Sequence, residues 1–236
     1  MTTNAVNNNE FENLLKPILI ADDVELSASC TSESKSEKWS YLYPSIYEGH
    51  FKGVLISHER IAERAAELAK LIVIQYPQNP ESAPIVLVCV LKGSMPFYNL
   101  LCNYLQDLKV NYTCEYIFAK SYKGTRSTGN VSVSGINDYS VLRDRNVLVV
   151  EDIVDTGATL SQLLPILQDS GKPKTLEVIS LLDKRLGSRK MEVAKFVGFS
   201  IPDQFIIGFG LDCNEFYRDL RDIWVISDLG VKFATT

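Results

Sequence analysis

The sequence predicts an α/β fold, a mostly parallel sheet flanked by helices. Three observations carry that expectation. Residues 85–91 (IVLVCVL) and 147–150 (VLVV) are continuous apolar runs rich in β-branched side chains, the pattern of strands buried on both faces. Segments of helical period follow such runs, so strand, loop and helix alternate from Ile85 onward. Both runs end in polar or charged loops, KGS and EDIVDTGAT, at the strand ends where parallel sheets bind their ligands.

In chain order, residues 1–13 are rich in Asn and Thr, and residues 27–38 (SASCTSESKSEK) in Ser, Glu and Lys. Both read as poorly ordered or loop-like, and residues 1–40 are assigned to an extension ahead of a single domain, 41–236. Between them ILIADDV can form a short edge strand. Residues 57–76 read as a helix: Ser57 caps it, and Ile61, Ala65, Leu68 and Ile72 recur at three- and four-residue spacing. After the 85–91 strand, KGSMPF opens a second helix, with Ser94 as its cap and Pro96 in its first turn. TCEYIFAK is the next strand. The stretch KSYKGTRSTGNVSVSG, rich in Gly, Ser and Thr, reads as a mobile loop or a hairpin. A helix follows VLVV from about residue 156 to 170, stopped by Gly171 and Pro173. Pro165 lies inside it and implies a bend. The runs LEVISLL, KFVGF, QFIIGFG and DIWVIS complete the sheet, and no internal repeat is present.

Bulk properties narrow the function. The 236 residues are 46% apolar and carry a net charge of −5, with a mean hydropathy of +0.01 and a pI near 5.2. That balance gives no reason to expect nucleic acid or a membrane held by bulk charge. No apolar run approaches the roughly 18 residues that span a bilayer. The N-terminal residues lack the basic and apolar regions of a secretory leader. Five cysteines, an odd number without a CxxC pair, fit reduced thiols in a cytosolic protein. The two histidines, His50 and His58, precede every loop of interest and are expected at the surface. Serine–histidine, cysteine–histidine and His-rich zinc chemistry are therefore disfavoured. Carboxylates, lysines and backbone amides must carry the chemistry.

In EDIVDTGAT, a strand feeds a small-residue turn and then a helix. The free amides of a helix N-terminus favour an anion, most often a phosphate. Gly157 lets the backbone approach it, and Thr156 and Thr159 add hydroxyl donors. TGAT taken alone fits an ordinary capped helix as well. The acids shift the balance. Glu151 and Asp152 are adjacent in an extended segment, so their side chains leave on opposite faces, and buried unpaired carboxylates are costly. They should meet hydroxyls, a metal or lysines. Carboxylates for hydroxyls beside amides for a phosphate suit a sugar phosphate. No GxxxxGK[ST] loop occurs, and GFG at 208–210 lacks the third glycine of a dinucleotide fingerprint.

VLVVEDIVDTGATL resembles the phosphoribosyl-diphosphate signature of type I phosphoribosyltransferases. LKGS at 91–94 is similar to that family's pyrophosphate loop. SLLDKR at 180–185 and QFIIGFGLDCNEFYRDLRD at 204–222 resemble the base-holding segments of its hypoxanthine-guanine branch, and KSY at 120 the start of its mobile catalytic loop, about 120–136. The resemblance covers about residues 43–231. It implies the type I fold with a small hood built from N- and C-terminal segments, the base-binding part at about 184–222. It further implies a Mg2+-dependent transfer between 5-phosphoribosyl 1-diphosphate and hypoxanthine or guanine, in a cytoplasmic homodimer or homotetramer.

The roles implied by the resemblance are these. Glu151 and Asp152 bind the ribose hydroxyls, and through them shape one Mg2+ site. Asp155 is the general acid or base facing N7 of the purine. Thr156, Gly157, Ala158 and Thr159 cradle the 5′-phosphate. Lys92 and Gly93 belong to the pyrophosphate loop, where the family often has a non-proline cis peptide. Ser121 and Tyr122 close over the diphosphate, and Arg218 contacts it. Lys184 donates to the purine O6, since an ammonium offers donors only. Phe205 stacks on the base, with Gln204 beside it, and Ile206 reads the base edge through its backbone. Asp212 ligates a second Mg2+. Two departures stand out. Ala158 occupies a position where relatives often carry a basic residue, and Ser94 replaces a second glycine after KG. A regulator that binds nucleotides without chemistry would be expected to lose Asp155 or Lys184. The Lys184 and Phe205 segments disfavour an orotate or adenine transferase.

Overall fold

The computed structural model describes residues 8–22, 43–79, 81–121, 131–187 and 193–236. Its frame is a seven-stranded sheet: β1 (Ile18–Leu19), β3 (Ile85–Leu91), β4 (Tyr112–Ser121), β5 (Val131–Ser134), β6 (Asn146–Val154), β7 (Thr175–Lys184) and β8 (Phe196–Ile201), in the order β1-β8-β7-β6-β3-β4-β5. All neighbours are parallel except β5, which folds back antiparallel on β4. The expected mostly parallel sheet is therefore present, and VSVS is the return strand of a hairpin.

Sequence order reverses between β3 and β6. From β6 the chain steps outward to β7 and β8; from β3 it steps the other way to β4. This is a topological switch point, where the crossovers diverge and leave a crevice at the strands' carboxyl ends. Leu91, Ser121, Val154 and Lys184 end the four neighbouring strands β3, β4, β6 and β7. Most of the anticipated chemistry thus lies on one edge of the sheet.

Helices cover both faces. On one, α2 (His58–Gln75) and α3 (Met95–Asp107) bury Ile61, Leu68, Ile72, Phe97 and Leu101 against the alternate strand residues Leu87, Cys89, Leu148 and Val150. On the other, α4 (Ala158–Gly171) buries Leu160, Leu163 and Leu167 against Val86, Val88, Val147 and Val149. Ser57 caps α2 as expected, accepting from the amide of Arg60. The amide of His58 donates to buried Asp222 at 2.7 Å.

Several expectations are corrected. Residues 8–15, expected to lack regular structure, form helix α1 (Asn8–Leu15). Phe11, Leu14 and Leu15 pack on the core, and the buried Arg64 donates to the carbonyls of Leu14 and Lys16 near the helix's end. Ser94 takes the capping position of α3, but its hydroxyl donates back to the Val90 carbonyl instead of accepting from the helix. The acids are not in a loop: β6 runs on through Glu151 and Asp152 to Val154. Helix α4 begins at Ala158, because Gly157 ahead of it is left-handed at φ +78. It ends through a left-handed Lys172, while Gly171 is its last residue, packed so that a Cβ would lie 2.8 Å from Leu142 Cδ1. Pro165 stays within the helix on its exposed face, where water can satisfy the carbonyl that loses its partner.

A second sheet, β2-β10-β9, is antiparallel and joins β2 (Phe51–Ile56), β9 (Ile206–Ile207) and β10 (Ile223–Ile226). It is the hood, drawn from both ends of the domain, with α5 (Asp228–Thr235) behind it. An aromatic cluster of Tyr43, Tyr47, Phe51, Tyr217 and Trp224 holds it. His50 is buried here and not at the surface. Tyr217 Oη donates to the Gly230 carbonyl at 2.9 Å, so at its other 2.9 Å contact it accepts from Nδ1 of His50. Burial without a charged partner lowers the His50 pKa.

Candidate active site

The crevice at the carboxyl ends of β3, β6 and β7 holds two clusters of charged side chains. The first joins the loop after β3 to the end of β6 and the hood. The peptide bond between Leu91 and Lys92 is cis. Gly93 follows, and a Cβ on it would lie 1.7 Å from Oδ2 of Asp152. A Cβ on Gly210, itself at φ +94, would lie 2.1 Å from the carbonyl oxygen of Gly93. The two glycines therefore let three chain segments meet at one acid.

Asp152 accepts from its neighbour's amide, Ile153, at 2.7 Å. Burial nevertheless pushes its carboxyl up to about 6; Arg218 partly offsets that rise, and Asp212 adds to it. Glu151 is buried, with Oε2 lacking a hydrogen-bond partner in the structure. Burial first, then the charge of Asp152, raises its pKa well above the usual carboxylate range. Strict strand alternation does not persist across the pair. Val150 and Ile153 pack against the same core, Val149 and Val154 against the other. An orphaned buried oxygen beside a second, desolvated carboxylate is a costly arrangement. Donors from a ligand, such as sugar hydroxyls, would relieve it.

Arg218 organises the hood side. Its Nη1 donates to the Gly210 carbonyl at 2.7 Å. Its Nη2 lies 2.8 Å from Oδ1 of Asp212 and 3.3 Å from Oε1 of Glu215. Glu215 Oε2 lies 2.8 Å from Nζ of Lys92. Glu151, Asp152 and Asp212 leave this region rich in carboxylate oxygen, which suits a hard divalent cation. Among the described residues no group of three His, Cys, Asp or Glu could hold a metal ion by itself. A cation here would need further oxygens from a bound substrate.

The second cluster is centred on Lys184, the last residue of β7. It is buried, with Nζ 3.4 Å from Oδ2 of Asp155 and 3.6 Å from Oδ1 of Asp203. Asp155 leads into a concavity lined by every residue from Glu151 to Leu160. At its floor, Gly157 turns the chain into α4, and the Ala158 amide donates to Thr156 Oγ1 at 3.3 Å. The amides of a helix's first turn lack intrahelical acceptors, so this floor can take an anion. Ala158 is exposed there and adds no charge.

Phe205 has a half-exposed ring, at 52%, while the adjoining Ile206 and Ile207 are buried. Its carbonyl accepts from Ile226, which fixes the backbone and leaves the ring available to a planar ligand. Oε1 of Gln204 is buried and has no partner in the structure. Ser121 ends β4, and Tyr122 lies outside the described residues. Three positions that take part in these clusters were missed by sequence reasoning. Glu215 and Asp203 look like ordinary surface acids, and their pairing depends on distant segments. Gly210 had a signal: the GFG run sits at a site of close backbone contact.

Comparison with known proteins points the same way. The phosphoribosyl transferase domain family matches residues 55–214. Hypoxanthine-guanine phosphoribosyltransferases from Bos taurus and Homo sapiens are 39% and 38% identical over 196 residues, covering 80% of this chain and 88% of theirs. Among solved structures, a Trypanosoma cruzi hypoxanthine phosphoribosyltransferase aligns with a TM-score of 0.72 at 36% identity, covering 80% of this chain and 98% of its own. A ternary substrates complex of an enzyme from the same organism aligns at 0.70 and 37%, covering 78% and 98%.

Proposed function

This chain belongs to the phosphoribosyltransferase family, and on that premise we propose that it transfers the 5-phosphoribosyl group of 5-phosphoribosyl 1-diphosphate to N9 of hypoxanthine or guanine. The products are the purine nucleoside 5′-monophosphate and diphosphate, a purine-salvage reaction. The C1′–O bond to diphosphate breaks, the C1′–N9 bond forms, and the base gives up one proton.

The observation that carries this reading is the meeting of Lys184 and Asp155, 29 residues apart, at 3.4 Å. A buried ammonium beside a carboxylate, at the mouth of an anion-binding turn, can hold an oxo group and manage a proton on the same ring. In the proposed arrangement Lys184 donates to O6, and Phe205 covers one face of the base, with Gln204 and the Ile206 backbone at its edge. Asp155 takes the proton at N7, keeping the attacking nitrogen nucleophilic. Residues 156–159 hold the 5′-phosphate. Glu151 and Asp152 accept from the ribose hydroxyls, which gives the orphaned Oε2 its missing donor. Lys92, Gly93 and Arg218, with Ser121 at the end of β4 and Tyr122 next in sequence, hold the departing diphosphate, where most charge develops. Positioning both reactants in line lowers the entropic part of the barrier. Asp212, together with substrate oxygens ordered by Glu151 and Asp152, would hold Mg2+, which when bound offsets diphosphate charge. The reading further places the protein in the cytosol as a homodimer or homotetramer.

The test is direct. The protein is incubated with Mg2+ and 5-phosphoribosyl 1-diphosphate, and hypoxanthine, guanine, xanthine, adenine and orotate are compared by absorbance. Turnover of hypoxanthine or guanine, with adenine and orotate inert, is expected. Equal turnover of adenine would overturn the base-site assignment, and no turnover of any base would favour a binding protein.

A further inference from the structure

Glu215 stands at the tip of a tight turn. Cys213 and Phe216 exchange backbone hydrogen bonds at 3.2 and 3.1 Å across it, and both Asn214 and Glu215 are left-handed, at φ +50 and +73. Non-glycine residues rarely adopt that region, so the turn is held by its contacts. One of them is the Glu215 amide, which donates to Oδ2 of Asp212 at 2.8 Å. The result is that the Glu215 side chain spans two cations, Lys92 of the loop after β3 and Arg218 of its own segment. Oε2 is 2.8 Å from Nζ of Lys92, 123 residues away, and Oε1 is 3.3 Å from Nη2 of Arg218. Each carboxylate oxygen engages one of the two side chains assigned above to diphosphate.

We propose that Glu215 is a built-in occupant of the diphosphate site, a carboxylate that holds Lys92 and Arg218 in place while the site is empty and must release them when diphosphate binds. This rests on the reading of Lys92 and Arg218 as diphosphate ligands. The stem of Arg218 stays anchored during the exchange, because its Nη1 is tied to the Gly210 carbonyl and its Nη2 also faces Asp212. Lys92 and Glu215 are both more than half exposed, at 54% and 62% of their side chains, so they can swing apart without disturbing the core. Such a residue sets affinity. It keeps the cations positioned, and it competes with both substrate and product for them. Removing the competitor should tighten diphosphate binding about three- to tenfold, the modest range an exposed ion pair can supply.

The experiment uses Glu215→Gln, which keeps the shape and the backbone bond to Asp212, alongside Lys92→Gln as a control. Binding of inorganic diphosphate with MgCl2 is measured by calorimetry on the full chain, and KM and kcat for 5-phosphoribosyl 1-diphosphate by initial rates. Glu215→Gln should bind diphosphate about three- to tenfold tighter and lower KM in the same proportion, with the KM for hypoxanthine unchanged and the circular-dichroism spectrum that of the folded protein. Lys92→Gln should weaken diphosphate binding. If Lys92→Gln weakens it but Glu215→Gln does not tighten it, Glu215 is a surface ion pair and the inference is wrong. If Lys92→Gln has no effect, the diphosphate assignment beneath it is wrong.

Discussion

Oδ2 of Asp152 occupies the space in which a side chain on Gly93 would begin: a Cβ there would lie 1.7 Å away. Gly93 and Asp152 are 59 positions apart in sequence, yet they are in contact. Gly93→Ala should therefore displace Asp152 and destabilise the fold by about 1–3 kcal/mol, the usual cost of overpacking. Urea denaturation measures this. Adding Asp152→Ala should restore most of the stability, because the clashing carboxylate is gone, while leaving the affinity for 5-phosphoribosyl 1-diphosphate impaired. Equal stabilities for wild type and Gly93→Ala would show that the loop moves freely.

Asp155 is half-exposed in its pairing with Lys184, so its ion pair contributes little to stability, on the order of 1 kcal/mol or less. Its chemical role is a different matter. Asp155→Asn should lower kcat by about 10²–10⁴, the range for a general acid–base group, with an unchanged circular-dichroism spectrum. Near-normal turnover by this variant would remove Asp155 from the mechanism.

Lys184 differs, being buried against two carboxylates, Asp155 and Asp203. Lys184→Ala deletes the donor proposed to select an oxo group, so the ratio of kcat/KM for hypoxanthine over adenine should fall by about tenfold or more. Steady-state assays with both bases decide it. An unchanged ratio would mean that another group reads position 6.

The acid pair predicts a pH dependence for the unliganded protein. Burial raises the Asp152 pKa from its ordinary value to about 6, and raises Glu151 in the same direction. The folded state then binds protons more tightly than the unfolded chain between roughly pH 4 and 6. Stability from these two groups is fully present below the unfolded values and is lost as pH rises through the folded ones. The melting temperature of the unliganded protein should accordingly fall across that window relative to Asp152→Asn, in which the rise is removed. A flat difference between the two proteins from pH 4 to 7 would contradict the burial argument.

Much of this was legible in the sequence because it is local. The apolar runs at 85–91 and 147–150 announce buried strands; Ser57 and the spacing from Ile61 to Ile72 announce a capped helix. Gly157 and the residues around it announce the turn from a strand into a helix that the structure has between β6 and α4. What failed were local readings that contacts elsewhere overruled. Ser94 resembles a cap but spends its hydroxyl on Val90. His50 is polar yet buried, since Tyr217 supplies its hydrogen bond from 167 positions away. Residues 1–13 have a loop-like composition, but Arg64 and the core give the helix at Asn8–Leu15 its partners.

The sequence by itself determined the alternation of strands and helices, the acidic pair, the small-residue turn and the resemblance that joins them to a distant lysine and phenylalanine. Only the tertiary structure decided which charges meet. Sheet order brings β7 beside β6, and so Lys184 to Asp155; two glycines without side chains let the Gly93 loop and the Gly210 segment close on Asp152; and a left-handed turn swings Glu215 across to Lys92 and Arg218. The physical reason is range. Hydrophobic period and turn chemistry act over a few residues and leave their pattern in the chain, whereas an ion pair acts over a few ångströms between residues whose separation in sequence says nothing about their separation in space.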